Sequence, residues 1–319
     1  MKKIILLLIL SLLLCSCTDS PAEVNATVEV TATAEVTTTA EVTTTAEVTT
    51  TPEVTTTPEV TTTAETTAAL PETTAVIPIL MFHEISEATG GEWSISTDGF
   101  TRRMELLKEN GFTPVTFDDL VSFVDGERDL PEKPVCITFD DGYLSNYTLL
   151  LPIITELEIP ITVFVIGSTI RKDGEQSDKM NVSELTEMEA SPYVTLAPHT
   201  YALHIIGYGE SGRPNVLPLP DEDKETYTEM FNSDCEAAEA ALAEAGVESF
   251  EVFSYPGGKA HRFAEAVLKE RGYRVTLTTD PVRINRVTKG DPDSLYLLGR
   301  LNVNDATSDR LLLRYLNKS

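Results

Sequence analysis

From Ile77 to the C terminus the chain alternates between two kinds of segment: short apolar runs, and stretches whose apolar residues recur at helical spacing. That alternation constrains the fold more than any other feature, because strands separated by helices pair in parallel, each helix crossing back over the sheet. The runs Ile77 to Ile85, Pro114 to Phe117, Val135 to Phe139, Ile161 to Ile166 and Val194 to Ala197 read as strands. Phe250 to Phe253, Tyr273 to Thr278 and Leu295 to Val303 complete the set. Between them, Phe100, Met104 and Leu107 keep helical spacing up to Gly111, and Asp118 to Val124 and Tyr147 to Leu157 read as helices. Ser183 to Met188 is a helix with Ser183 as its expected cap. A long helix is marked by Tyr227, Phe231, Cys235, Ala238 and Leu242 and closed by Gly246. Phe263 to Leu268 and Asp309 to Leu316 are the last two. Seven or eight such units in about 240 residues predict an α/β fold closed into a barrel rather than an open sheet.

The chain ahead of this domain is of another kind. Met1, Lys2 and Lys3 precede the apolar run Ile4 to Leu14, which is short for a bilayer span and fits a secretory signal. Its end, Leu14-Cys15-Ser16-Cys17, resembles the lipobox of bacterial lipoproteins, with Cys17 as the lipidated residue; a plain secretory signal is the alternative. Either reading puts the mature protein outside the cytoplasm, and the lipobox would tie it to the membrane by acyl chains alone. Residues 18–75 are rich in Thr, Glu, Val, Ala and Pro, and the unit Ala-Glu-Val-Thr-Thr-Thr starts at Ala34, Ala40 and Ala46, with proline leading at Pro52 and Pro58. Like charges at regular spacing and few large apolar side chains predict a disordered stalk. The expected organisation is thus a signal over 1–17, a linker over 18–75 and one domain over 76–319.

A formal net charge of −27 argues against nucleic acid as a partner and against electrostatic binding to anionic lipid. Of the four cysteines, Cys15 and Cys17 belong to the signal. Cys136 and Cys235 stand alone, without the paired spacing of a zinc–cysteine site, and are expected as small buried hydrophobes, a single disulfide being the alternative.

In parallel α/β folds the residues past the C-terminal strand ends surround the site. His83 follows the first strand in "PILMFHEIS". Asp140 and Asp141 follow the third in "KPVCITFDDGYLSN", and His199 and His204 follow the fifth in "VTLAPHTYALH". "VFSYPGG" ends in Gly257 and Gly258, and Arg300 lies in the last strand. Asp141, His199 and His204 form a set that can hold a divalent metal with positions left open, zinc being the first expectation. The five-residue spacing of the histidines does not align them on a helix, so they converge only if His199 ends the strand after Pro198 and His204 lies one turn later. A cation would also explain two adjacent acids: it holds Asp141 ionised and leaves Asp140 to take a proton from water.

These motifs resemble those of the NodB-type polysaccharide deacetylases, carbohydrate esterase family four. "TFDDGY", Thr138 to Tyr143, matches their first motif in full; "HTYALH" matches the second in the form found in the branch acting on poly-N-acetylglucosamine; "SYPGG" corresponds to the third. The resemblance implies a distorted (β/α) barrel of about seven strands and a polysaccharide substrate, an N-acetylglucosamine polymer or peptidoglycan. It implies Asp140 as base, Asp141, His199 and His204 as metal ligands, and His83 as general acid. Gly257 would offer a backbone N–H to the oxyanion, with Tyr143 and Arg300 on the substrate side. Arg300 would either orient Asp140 or form an unrelated ion pair. Two departures stand out: Ser254 and Gly257 replace the arginine and the aromatic residue of many relatives. No leucine-x-histidine fifth motif is found near the C terminus.

Two rival readings follow from the same residues. Paired carboxylates serve glycoside hydrolysis, but neighbours on a strand normally point to opposite faces. A surface glycan-binding protein with a decayed site would account for Ser254 and Gly257, and an acetyl-xylan esterase differs only in substrate.

Overall fold

A computed structural model of the chain describes residues 73–172, 174–204, 213 and 215–318. The expected signal with Cys17, and the expected linker up to residue 72, lie outside the described residues.

The described chain opens with β1 (Thr74–Val76), β2 (Ile79–Phe82), β3 (Glu84–Ser86) and β4 (Ser94–Ser96), then α1 (Thr97–Glu109), β5 (Thr113–Pro114) and α2 (Phe117–Val124). Next come β6 (Pro134–Asp140), α3 (Leu151–Leu157), β7 (Ile161–Val165), α4 (Val182–Glu189) and β8 (Val194–Pro198). The second half holds α5 (Lys224–Ala243), β9 (Val252–Ser254), α6 (Arg262–Glu270), β10 (Val275–Leu277), β11 (Arg286–Thr288), β12 (Leu301–Asn302) and α7 (Asp309–Leu316). Seven of these strands run parallel around the centre. β12, β2, β6, β7 and β8 form one ladder in that order, and β9 pairs with β10. A single parallel bridge, Leu277 to Leu298, joins β10 to the segment leading into β12. The ladder is interrupted between β8 and β9, where the His199 ring spans the seam through Nδ1 to the Ser254 carbonyl at 2.7 Å.

Burial explains the arrangement. Along β6 every residue is buried, and Val135, Ile137 and Phe139 pack into the apolar layer that includes Phe100, Met104 and Leu107 of α1. Cys136 turns the other way, into a cluster with Ile79, Phe164, Val252, Val275 and Leu277. A central strand covered on both faces has this pattern. Cys136 and Cys235 are both buried and free, as small hydrophobes. No helix among the described residues is long and apolar enough to cross a membrane.

Several element boundaries differ from expectation, and three of them have a clear local reason. The first strand is broken at His83, whose carbonyl accepts from Asn146 Nδ2 at 3.0 Å instead of extending a ladder. α4 is capped by Asn181, not Ser183; Asn181 and Glu184 form a reciprocal capping box. The expected strand Leu295 to Val303 is ordered as a strand only at Leu301–Asn302. Leu297 is left-handed at φ 59°, and the buried Asn285 amide takes the place of ladder bonds, donating to the Gly299 and Ile77 carbonyls at 2.8 and 2.9 Å.

Candidate active site

Because the central strands are parallel, their C-terminal ends open on one side, and a cavity of about 640 Å³ lies there. His83, Asp140, Asp141, Tyr143, His199, His204, Gly257 and Arg300, the residues singled out from the sequence, all line it.

Asp140 ends β6. With period-two alternation it shares the inner face with Cys136 and Thr138, and so points into the middle of the strands. There it meets Arg300, which is completely buried. The two guanidinium nitrogens reach the two Asp140 oxygens at 2.7 Å each. The remaining N–H groups go to Thr138 Oγ1 at 3.1 Å, Ser254 Oγ at 2.8 Å and the Thr278 carbonyl at 3.1 Å. All five donors of the guanidinium are therefore used. Burial pushes the Asp140 carboxyl up, but the Arg300 charge and its hydrogen bonds outweigh that and hold it well below the usual carboxylate range. Asp140 is ionised at any ordinary pH.

Asp141 is treated in the opposite way. It leaves the strand in the left-handed conformation at φ 76°, a position that costs a non-glycine residue about 1–3 kcal/mol. Gly142 follows at φ 66°, packed against Val165. The double turn corrects the expectation that neighbouring acids face opposite ways: once Asp141 abandons the strand conformation, both carboxylates line one cavity. Its Oδ1 is buried with no hydrogen-bond partner. His204 Nε2 lies 3.4 Å from it and His199 Nε2 3.7 Å. Burial raises the Asp141 carboxyl, with His83 and Lys179 opposing.

The two histidines converge because the chain between them is clamped. β8 ends at Pro198, His199 follows, and Thr200 takes φ 69°. Asp234 of α5 then accepts from both Tyr201 N at 2.8 Å and Ala202 N at 2.9 Å. This folds five residues so that the imidazole centroids stand 5.1 Å apart. One ligand atom from each of Asp141, His199 and His204 lies within 4.8 Å of the others. The His199 Nδ1 contact with the Ser254 carbonyl requires a proton on Nδ1, which leaves the Nε2 lone pair facing Asp141. Burial lowers His199 to about 3, so its ring is neutral. Two imidazoles whose basicity burial keeps low and a carboxylate oxygen without a hydrogen-bond partner are the donor set of a divalent cation, and the residues fit one.

The other expected residues complete the walls. His83 Nδ1 is buried without a hydrogen-bond partner, and burial lowers its pKa. Gly257 sits in the turn Pro256–Gly258 at φ 56°, with Lys259 Cγ 4.0 Å from where a Cβ would stand. Tyr143 carries the Lys179 ammonium 3.0 Å from its ring centre. Burial, then the Asp141 charge, pushes its phenol up. His261 is an ordinary helix cap, accepting from Phe263 N at 3.3 Å.

Asp234, Lys179 and Trp93 were missed in the sequence. For Asp234 a signal exists: it falls three residues after Phe231, on the buried stripe of α5, where a carboxylate needs a reason. Lys179 and Trp93 carry no comparable local pattern.

Residues 127–276 match the family model described as polysaccharide deacetylase, and the chain therefore carries a polysaccharide deacetylase domain. The match includes Asp140, Asp141, His199, His204 and Gly257, whereas His83 and Arg300 flank it. Among curated relatives, YxkH of Bacillus subtilis (strain 168), named as a polysaccharide deacetylase, is 25% identical over 245 residues, 77% of each chain. The poly-β-1,6-N-acetyl-D-glucosamine N-deacetylase of Escherichia coli (strain K12) is 25% identical over 225 residues, 63% of this chain but 33% of its own length. The chain thus spans a third of that relative. Among solved structures, IcaB from Ammonifex degensii superposes with a TM-score of 0.62 at 25% identity, covering 76% of this chain and 97% of that one.

Proposed function

We propose that the protein is a metal-dependent hydrolase that removes acetyl groups from an N-acetylglucosamine polymer at the cell surface. One observation carries the reading. A three-donor set suited to a divalent cation, zinc first, and an ionised carboxylate locked by arginine line the same cavity. The substrate class is supported by the E. coli relative, whose name states poly-β-1,6-N-acetyl-D-glucosamine. The location is supported by the signal-like residues 1–17, with Cys17 as the anchor in the lipobox reading.

Asp141, His199 and His204 would hold the cation. When bound it supplies Lewis-acid polarisation of the acetamide carbonyl and lowers the pKa of water. The chain's own residues do the rest. Asp140 keeps acceptor capacity beyond its two Arg300 bonds and takes a proton from the attacking water. The Gly257 N–H stabilises the oxyanion, a contribution worth a few kcal/mol for a well-placed donor. His83 gives a proton to the departing nitrogen as the C–N bond breaks, so that acetate and a free amine result from one water.

Ser254 and Gly257 do not argue for a decayed site. Arg300, arriving from the β12 end, supplies a guanidinium against Asp140, and the Ser254 hydroxyl and carbonyl hold Arg300 and His199 in place. The test is acetate release from N-acetylglucosamine oligomers, peptidoglycan and acetyl-xylan in parallel, with and without chelator. Chelator-sensitive acetate from the first supports the proposal. Binding without turnover in metal-replete buffer overturns it.

A further inference from the structure

We propose that Trp93, the only tryptophan of the chain, is the platform on which a substrate sugar ring lies at the mouth of the cavity, and that it sets the preference for polymer over small acetyl compounds. The inference rests on the deacetylase reading and extends it to a residue outside the matched family span.

Trp93 is 52% exposed although it lines the cavity. Its ring centre stands 4.8 Å from that of His83, at 68° between planes. Large aromatic rings normally lose most of their surface to packing, and a ring left half open beside a cavity has surface to spare for a ligand. This exposure is built in. The Trp93 carbonyl accepts from Glu84 N at 3.1 Å. The Glu92 carbonyl accepts from Asn302 and Asn304 at 3.3 and 3.0 Å. Asp305 takes Gly90 N at 2.7 Å, Ser96 N at 3.0 Å and Ser96 Oγ at 2.8 Å. Three side chains of the C-terminal segment thus fix the loop that presents the indole.

The chemistry of the surroundings selects the ligand. An exposed indole in a cavity that Asn215 and Lys259 also line offers a stacking face in the company of polar groups. A hexopyranose has the matching form, with C–H groups on its faces and hydroxyls around its rim. A protein partner would call for a contiguous apolar patch. Edge-to-face contact with His83 places a ring stacked on Trp93 next to the proposed acid. The sugar so held brings its acetamide nitrogen toward His83.

Because Trp93 is the sole indole, its emission reports the site directly. The metal-loaded protein is mixed rapidly with an N-acetylglucosamine hexamer and fluorescence is followed before acetate appears. We expect a change in Trp93 emission that saturates near the KM of the hexamer. Trp93→Ala should lower kcat/KM for the hexamer relative to 4-methylumbelliferyl acetate about tenfold, mostly through KM, and Trp93→Phe should recover part of that ratio. Unchanged emission at saturating hexamer overturns the proposal, as does an equal fall for both substrates, which would leave Trp93 only a support for His83. If the wild-type protein turns over the ester but no glycan, the deacetylase reading itself fails, a result distinct from either.

Discussion

Asp140 and Asp141 are adjacent in sequence and opposite in environment. Both oxygens of Asp140 are paired, through two charge-assisted hydrogen bonds from a buried arginine whose other donors are also used. Asp141 holds a strained backbone, and its Oδ1 faces two neutral histidines without a partner. A fold does not leave a buried carboxylate oxygen unpaired beside a paired one without cost. The contrast teaches that one acid is held by the protein itself and the other is left to the proposed cation.

The comparison can be broken at either side. The largest effect is expected at the base: Asp140→Asn should reduce acetate release about 10²–10⁴-fold with binding of metal retained, read from steady-state rates and metal content. Arg300→Met leaves Asp140 buried and unpaired, and should cost about 3–5 kcal/mol in denaturant unfolding. Arg300→Lys should recover only part of this, since a lysine cannot make the bidentate pair. On the other side, Asp234→Asn keeps the shape but weakens the clamp on the Tyr201 and Ala202 amides. Metal affinity, by competition with a chelating dye, should fall about 10–100-fold, and Asp234→Ala at least as much.

The smallest expected effect concerns pH. His199 in the unfolded chain binds a proton near pH 6.5, whereas in the folded chain it resists down to about 3. Its folded pKa is depressed, so the stability it contributes is full above 6.5 and is lost as pH falls toward 3. Asp140, also depressed, adds a loss of the same sign below the ordinary carboxylate range. From pH 6.5 to 5 the metal-free protein should lose about 1–2 kcal/mol, seen as a falling Tm. A Tm that rises over that interval would contradict the burial of a neutral His199.

The parts of this site readable in advance were those written in local pattern. Two acids after an apolar run, and a histidine after Pro198, mark strand ends whatever the rest of the chain does. The parallel sheet followed from alternation alone. What escaped was set by contacts distant in the chain. The Arg300–Asp140 pair, one of the two alternatives expected for Arg300, joins residues 160 apart, and only its further anchoring on Ser254 and Thr278 had no signal in either segment. The break at His83 was hidden because Ile85 resumes the apolar pattern two residues on; Asn146, folded against the His83 carbonyl, ends the ladder. Leu295 to Val303 looked like a strand for a similar reason, since the buried Asn285 amide that replaces its ladder lies outside the run. The opposite-face argument against a shared cavity failed at one backbone angle, the positive φ of Asp141.

The most direct measurement is the metal content of Asp140→Asn and Asp141→Asn, each purified folded and dialysed against the same limiting zinc. The account predicts about one zinc per chain in the wild type and in Asp140→Asn, and a loss of at least tenfold in affinity in Asp141→Asn. Equal retention in both variants, or equal loss, would contradict the division of labour between the two acids.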